Sequence, residues 1–182
     1  MGMAASCYYT RDMVRTLPDD GNRYETVHGE LLVTPAPVAW HQELVGRLSQ
    51  LLRDYLRREP VAHVFLAPAD ISWSSDTLVQ PDLCTVPLEE ARTLEWEQMK
   101  SLLLAVEVLS PGTARHDRFT KRRLYQEVGV PCYWIVCPDQ AAVEVWEPAD
   151  TLPTVKRDKV TWWPAGAREP LTVLLPELFQ EI

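Results

Sequence analysis

Helical spacing of apolar residues marks the longest element that the sequence predicts. Between Val38 and Arg58, apolar side chains recur every three or four positions, which is typical of an amphipathic helix. The residues that carry this pattern are Leu44, Leu48, Leu51, Leu52 and Tyr55. Because Pro60 cannot continue a helix, this one is predicted to end near Arg58.

A second main helix is predicted beyond the middle of the chain. Pro111 and Gly112 form a turn, after which Thr113 can cap a helix that runs to about Val128. Gly129 is a suitable residue for its C-terminal end. Two short helices are also predicted, from Thr10 to Leu17 and after Pro176.

Short apolar runs bounded by turn residues predict the strands. They are Tyr24–His28, Glu30–Val33, Val61–Leu66, Asp70–Trp73, Thr77–Val86, Leu102–Leu109, Cys132–Cys137, Ala142–Trp146, Val155–Trp163 and Leu171–Leu175. Gly29 joins the first two as a hairpin, whereas Glu89–Met99 is helical or irregular. Pro81 indicates an edge position or a bulge in the fifth strand, because proline removes a ladder donor.

This order of elements predicts the fold class. Strands and helices are mixed along the chain, which favours an α/β fold of the α+β type: a curved mixed sheet with two main flanking helices. A length of 182 residues predicts one domain over residues 1–182. The apolar C-terminal region containing Trp162 and Trp163 fits either the core or the surface of a homodimer.

Composition indicates in which compartment of the cell the protein works. The hydrophobic fraction of 46% and charged fraction of 24% are ordinary for a soluble protein. No apolar run approaches the roughly 20 residues that span a bilayer, and the N-terminus lacks a signal-peptide pattern. The four cysteines form no CxxC pair, which disfavours zinc and is typical of reduced thiols. We therefore expect a cytoplasmic protein without membrane partners.

Net charge limits the mode of nucleic-acid binding. The chain carries −8, whereas proteins that bind nucleic acid over their whole surface are usually basic. A local patch can still attract a phosphate, and the densest basic cluster follows Thr113 along the chain. Its members are Arg115, Arg118, Lys121, Arg122 and Arg123.

Glu107 interrupts an otherwise apolar strand, Leu102–Leu109. A carboxylate in a buried strand has to be paired, hydrogen-bonded or bound to a metal. One interpretation is an ion pair near the surface at the end of the strand. The other is a chemical site.

Asp82 is a second carboxylate in an apolar run, and it precedes Glu107 by 25 positions. If the two strands are neighbours, both acids can converge on one hard cation. Mg²⁺ prefers oxygen ligands and commonly uses one or two carboxylates, with water and phosphate. Asp82 alone is also consistent with a turn or bulge, so the prediction depends on the pair.

The helix that follows Glu107 carries a third element of this candidate site. Asp117, Lys121 and Tyr125 are spaced four apart and share one helical face. Lys121 can deliver its ammonium group beside Glu107, where it would orient water or offset charge on a phosphate. Alternatively, its side chain extends along the apolar surface towards solvent. Asp117 either positions Lys121 or forms an ordinary pair with it.

Several ordered motifs resemble the Uma-two family of bacterial restriction endonucleases, within the PD-(D/E)XK nuclease superfamily. They are Val79–Asp82, Val106–Pro111, Asp117–Lys121 with Tyr125, and Gly129–Val136, together with Tyr24–Glu25, Gly29–Leu31 and the Pro35 to His41 segment. The resemblance covers roughly Tyr24 to Trp146. It implies a restriction-endonuclease-like core with flanking helices and metal-dependent hydrolysis of phosphodiesters.

The resemblance also implies residue roles. Asp82 and Glu107 match the two motif acids and, with the backbone carbonyl of Val108, would hold Mg²⁺ or Mn²⁺. The pattern places lysine where this chain has Leu109, so Lys121 is expected to replace it. Glu30 matches an upstream acid, although an exposed hairpin position is equally consistent with it.

The remaining assignments concern substrate. His41 is expected to touch phosphate or the metal site, with helix packing as the alternative. Arg115, Arg118 and Arg122 are expected to guide nucleic acid, with DNA favoured over RNA, unless they form a solvated surface. A catalytically silent nucleic-acid-binding or regulatory protein on the same fold remains the rival interpretation. A small-molecule hydrolase is disfavoured, because no Ser-His-Asp or Cys-His pattern occurs.

Overall fold

The computed structural model describes residues 7–182; residues 1–6, on which the signal-peptide expectation depends, lie outside that part. The strands are β1 (Arg23–Val27), β2 (Glu30–Thr34), β3 (Ala62–Leu66), β4 (Ile71–Ser74), β5 (Thr77–Val79), β6 (Leu83–Pro87), β7 (Leu104–Val108), β8 (Tyr133–Cys137), β9 (Ala142–Trp146), β10 (Thr154–Lys156), β11 (Lys159–Trp162) and β12 (Leu171–Leu174). The α-helices are α1 (Arg11–Arg15), α2 (Ala39–Arg58), α3 (Leu88–Ala91), α4 (Arg122–Glu127) and α5 (Leu175–Leu178).

Six strands form the central sheet, in the order β10-β9-β8-β7-β6-β3. β7 and β8 are parallel, and the other neighbouring pairs are antiparallel. A four-stranded sheet has the order β2-β1-β5-β4, and β11 pairs with β12. This mixed architecture, with few helices, confirms the predicted fold class.

The two faces of the central sheet are covered differently. α2 packs Leu44, Leu48 and Leu52 in one apolar cluster with Val106 and Trp134. The opposite face packs in a second cluster with residues of the four-stranded sheet and α4, including Val27, Val79, Ala105, Leu124 and Ile135. Because side chains alternate along a strand, Glu107 points to this second face while its neighbours Val106 and Val108 point towards α2.

The predicted strand Thr77–Val86 is wrong as a single element. The chain breaks over residues 80–82, so that β5 belongs to the four-stranded sheet and β6 to the central sheet. Pro81 supplies the physical reason, since it has no N–H to donate to a ladder. The break matters for function because Asp82 lies in it.

The predicted strand Val155–Trp163 is likewise two strands. Residues 157–158 bend the chain, after which β11 pairs with β12 while β10 pairs with β9. Trp162 is buried in the core with α2, whereas the side chain of Trp163 is 66% exposed. The two neighbouring tryptophans therefore have different environments.

The second main helix begins differently from the sequence prediction. Its first part, His116–Lys121, is π-helical and continues into α4. π-Helical turns are rare and widen the helix locally. Here, the widened turn faces the central sheet and carries Asp117 and Lys121, both of which are buried.

Two local predictions about helix ends are confirmed. Thr10 caps α1 by accepting a hydrogen bond of 3.2 Å from the Met13 amide, and α2 ends at Arg58. All four cysteines are free thiols, with Cys84 and Cys137 buried. Within the described residues, no helix is both long and apolar enough to cross a membrane.

Candidate active site

Asp82 and Glu107 meet where β6 begins and β7 ends. Leu83 pairs with Val106 across the antiparallel strands, which places the preceding Asp82 beside Glu107. The Asp82 amide donates to Glu107 Oε2 at 3.4 Å, and the Val108 amide donates to Asp82 Oδ2 at 2.9 Å. Both side chains are buried. The structure thus brings the two acids together on neighbouring strands, as the sequence suggested.

Lys121 points into this site and not to solvent. Its Nζ atom lies 2.8 Å from Glu107 Oε1, 2.8 Å from Glu25 Oε1 and 3.8 Å from Asp117 Oδ1. Its side chain is only 2% exposed. Tyr125, one turn further on, donates its hydroxyl to Glu107 Oε1 at 3.2 Å. The side-chain face predicted for Asp117, Lys121 and Tyr125 therefore does converge on Glu107.

Glu25 is a site residue that the sequence reasoning missed. Its side chain is fully buried, and Oε1 also accepts a hydrogen bond of 2.6 Å from the Gln80 amide. Glu25 thereby connects β1 both to Lys121 and to the chain break that holds Asp82. A usable signal was present, because Glu25 shares its strand face with the apolar Val27 two positions on.

Glu30 does not occupy the position expected of an upstream acid. The hairpin pairs Val27 with Glu30 and Glu25 with Leu32, so Glu30 lies at the turn, two residues further from the site than Glu25. Its side chain is exposed. We therefore correct the assignment: Glu25, and not Glu30, is the acid that the hairpin contributes.

Arg23 is the second residue that was missed. It precedes Glu25 by two positions on the same strand face, and its Nη1 atom donates to Asp82 Oδ1 at 2.9 Å. Nothing in the sequence distinguishes Arg23 from an ordinary surface arginine, because its partner is 59 positions away. Its Nε atom is buried without a hydrogen-bond partner.

His41 reaches the site from the first turn of α2. Its Nε2 atom lies 3.0 Å from Asp82 Oδ2, and the residue is buried. Because an ionised carboxylate only accepts hydrogen bonds, we assign the proton to Nε2. The other ring nitrogen, Nδ1, is buried without a partner. His41 thus contacts the candidate metal ligand directly.

The arginines expected to guide substrate lie elsewhere. Arg118 pairs with Glu144 of β9 at 2.7 Å, and the guanidinium of Arg122 stacks 4.8 Å from the Trp146 ring. These contacts hold the helix against β9, and neither side chain lines the site cavity. Arg115 is exposed and does not line the site cavity.

The two motif acids have opposite electrostatic environments. Burial by itself would raise the pKa of Asp82, but the His41 hydrogen bond and the Arg23 charge outweigh it and lower that pKa to about 2. Burial raises the pKa of Glu107 well above its ordinary value, against the attraction of Lys121 and with repulsion from Asp82. Two carboxylates with separated pKa values are a common feature of catalytic sites.

The side chains of Lys121 and Arg23 remain protonated in the site. Burial alone would lower the pKa of Lys121, yet Glu107, Glu25 and Asp117 together raise it. The same holds for Arg23. Burial alone would lower its pKa, but the charges of Asp82, Glu107 and Glu25 outweigh that effect and raise it. Both side chains are thus held in their protonated form by the surrounding carboxylates.

Charge balance shows whether this group of residues fits a divalent cation. Four carboxyl groups surround two permanent cations, so full ionisation leaves an excess of two negative charges when His41 is neutral. One acceptor, Glu25 Oε2, is buried without any partner. Hard oxygen donors with uncompensated charge suit Mg²⁺ or Mn²⁺. The residues therefore fit such an ion in donor type and charge.

The geometry defines what kind of metal site fits. Across the described residues, no group of three or more His, Cys, Asp or Glu side chains is arranged to hold a metal ion. Mg²⁺ rarely uses such an all-protein cage and is commonly bound by one or two carboxylates with water and phosphate. Asp82 and Glu107 are the pair that fits this open arrangement, with Arg23 and His41 contacting the Asp82 oxygens.

Asp117→Asn should reveal the charge excess through the pH dependence of stability. Burial raises the pKa of Asp117 to about 6, against the attraction of Lys121. Between the unfolded value of 3.8 and this folded value, the folded state binds more protons, so stability falls as pH rises. We expect the variant to lose less stability than wild type between about pH 5 and pH 7.5.

The measurement is urea unfolding at both pH values in the presence of a chelator. Asp19→Asn, at an exposed position, is the matched control and should retain the wild-type pH dependence. An equal pH dependence in wild type and Asp117→Asn would show that Asp117 does not carry the excess charge.

A cavity of about 540 Å³ opens onto the acids. Asp82, Glu107 and Asp117 line it together with Arg23, His41 and Val108. Most of the remaining lining comes from the loops before α2, after β3 and after β7, with Gln42 and Val45 of α2 also contributing. The acid cluster is thus buried on the sheet side and accessible from the cavity.

The mixed sheet, with two acids where adjacent strands end and a lysine from the following helix, agrees with the restriction-endonuclease-like core that the sequence resemblance implies. A solved structure from Anabaena variabilis ATCC 29413, described as a "putative nuclease belonging to DUF820", has the same fold. The TM-score is 0.75 at 21% sequence identity, over 94% of this chain and 97% of that chain.

The family follows from the sequence itself. The family model Uma2, described as "Putative restriction endonuclease", matches residues 11–175. The chain therefore belongs to the Uma2 (Uma-two) family, which confirms the resemblance seen in its motifs. No curated protein matches the sequence.

Proposed function

We propose that this protein is a metal-dependent nuclease that hydrolyses nucleic-acid phosphodiester bonds. The observation that carries the proposal is the buried cluster of Glu25, Asp82, Glu107 and Asp117 around Lys121, with an excess of negative charge and an open cavity in front of it. The family and the fold neighbour, both described as nucleases, support it.

Asp82 and Glu107 would hold Mg²⁺ or Mn²⁺, with the backbone carbonyl of Val108 as a further ligand. When bound, the ion would supply positive charge to the phosphate and lower the pKa of a bound water. For Asp82 to bind the ion, at least one of the contacts from Arg23 and His41 has to exchange, because these donors contact both of its oxygens.

The protein's own groups prepare the site for in-line attack on phosphorus. Lys121 fixes Glu107 and keeps a positive charge beside the reacting phosphate. Glu25 and Asp117 hold Lys121 in place and keep it protonated. Arg23 lines the cavity and keeps an unpaired Nε donor for a phosphate oxygen, and His41 becomes a second donor when its contact with Asp82 exchanges.

The test is an assay on single- and double-stranded DNA and RNA with Mg²⁺, Mn²⁺ or a chelator. We expect cleavage in the presence of either metal, none in the chelator, and none by Asp82→Asn in any condition. Asp19→Asn, at an exposed position that does not line the cavity, should cleave as wild type does. Cleavage in the chelator, or by Asp82→Asn, would contradict the proposal.

One observation favours a second candidate, a catalytically silent nucleic-acid-binding protein. Arg23 already forms an ion pair with one oxygen of Asp82 and His41 hydrogen-bonds the other, and an acid whose oxygens both have partners needs no metal. The two candidates differ in one result of the same assay. A silent protein would bind oligonucleotides, gain no thermal stability from Mg²⁺ and cleave no substrate.

A further inference from the structure

The rim of the site cavity is apolar and exposed. One side is the segment from Pro35 to Val38, in which the side chain of Val38 is 65% exposed. Leu66, 38% exposed, and Pro68 form a second part, and Pro111 forms a third. Clusters of exposed apolar residues around a cavity mark ligand-binding surfaces. This rim therefore selects a ligand with an apolar face.

Positive charge is confined to the floor of the cavity. Among the described residues that line it, Arg23 and His41 are the only Arg, Lys or His side chains, and both contact Asp82. Arg118 is engaged with Glu144, and the chain as a whole carries −8. The cavity can therefore bind one anionic group beside these two side chains, and its rim has no basic residue to bind another.

This distribution of charge disfavours a duplex. Proteins that follow double-stranded DNA neutralise several consecutive phosphates with Lys and Arg, and their affinity depends steeply on salt. A single-stranded segment, in contrast, can turn an unstacked base onto an apolar or aromatic wall. A cavity of about 540 Å³ has the size of a small-ligand site and does not form a continuous groove.

Two unsatisfied polar atoms belong to residues that line the cavity. Arg23 Nε and His41 Nδ1 are both buried and have no hydrogen-bond partner. Buried polar atoms are generally paired, so unpaired atoms on residues that line a cavity point to a group that the ligand supplies. Arg23 Nε is a donor, and a phosphate oxygen would satisfy it.

We propose that the ligand of this site is single-stranded nucleic acid, bound with one base against the apolar rim and one phosphate beside Arg23 and His41. The inference rests on the proposed function, because it places the scissile phosphate at the Asp82–Glu107 pair. The base is held by contact with Val38 and Leu66, and the sugar-phosphate chain outside the cavity remains in solvent.

Binding is measured by fluorescence anisotropy with labelled oligonucleotides of one length: single-stranded DNA, single-stranded RNA and duplex DNA. The wild-type protein is used with Ca²⁺ in place of Mg²⁺ or Mn²⁺, so that substrate is not consumed. We expect either single strand to bind at least about tenfold more tightly than duplex. The slope of log affinity against log salt should be about −0.7 to −1.4, as for one or two phosphates.

The rim is tested by the double substitution Val38→Ser and Leu66→Ser in the same background. Val38 is the N-cap of α2, where serine is well tolerated, so the fold should be retained. We expect single-strand affinity to fall about tenfold. Leu152→Ser, at a remote position that is 78% exposed, should leave affinity unchanged.

The outcomes separate this inference from the proposed function. Metal-dependent cleavage with duplex bound as tightly as single strands, or a steep salt slope, would keep the nuclease and overturn the single-strand proposal. Rim-dependent binding of single strands without any cleavage by wild type would keep the ligand and overturn the nuclease. Light scattering that shows a dimer dispersed by the rim substitutions would assign the rim to a second copy and overturn the inference.

Discussion

Glu107→Gln is expected to lower the rate of phosphodiester hydrolysis by at least about a hundredfold without weakening the fold. The amide has nearly the same shape, and its Oε1 atom can still accept from Lys121 and Tyr125. It cannot, however, supply the charge that a divalent ion requires. Because burial and neighbouring acids raise the pKa of Glu107, loss of its charge removes a repulsive interaction.

Initial rates and urea unfolding at neutral pH are the two measurements. Glu144→Gln is the matched control, since Glu144 lies on the same face of the central sheet but pairs with Arg118. That control should cleave at the wild-type rate even though it loses an ion pair. Wild-type activity in Glu107→Gln would remove Glu107 from the metal-binding pair.

Lys121→Met is expected to destabilise the fold at neutral pH by about 3–5 kcal/mol, the usual effect of removing one partner from a buried ion pair. Methionine keeps much of the apolar stem but leaves Glu107 and Glu25 without their cation. Protonation of these acids offsets the loss, so stability should recover as pH falls towards about 5. Activity should be lost at both pH values.

A second substitution separates charge from packing. Adding Glu25→Gln to Lys121→Met removes one of the two buried carboxylates that have lost their cation, and it should restore part of the lost stability. Lys156→Met, at an exposed position, should change stability by no more than about 0.5 kcal/mol. A loss of stability in Lys121→Met that neither low pH nor Glu25→Gln relieves would show that Lys121 acts by packing alone.

The parts of the site that the sequence predicted are those close together along the chain. Glu107 stood out in an apolar strand, and Lys121 follows it within one strand-to-helix connection. Helical spacing then placed Asp117 and Tyr125 on the same face, although the first turns are π-helical and not α-helical. Local periodicity carried this information because all four residues belong to consecutive elements.

The missed residues depend on long-range pairing. Arg23 and Glu25 reach the site only because β1 pairs with β5 immediately before the break at Pro81. Choosing between Glu25 and Glu30 required the register of the hairpin, which places Glu30 at the turn. The packing of Arg118 against β9 is likewise a tertiary contact that no local pattern reveals.

The central claim is that Asp82 and Glu107 form a divalent-cation site, and calorimetric titration of Mn²⁺ into the purified protein tests it most directly. We predict saturable binding by wild type near pH 6, with release of protons because the pKa values of Glu107 and Asp117 are raised. Asp82→Asn should abolish this binding while remaining folded. Absence of binding by folded wild-type protein, or equal binding by Asp82→Asn, would contradict the claim.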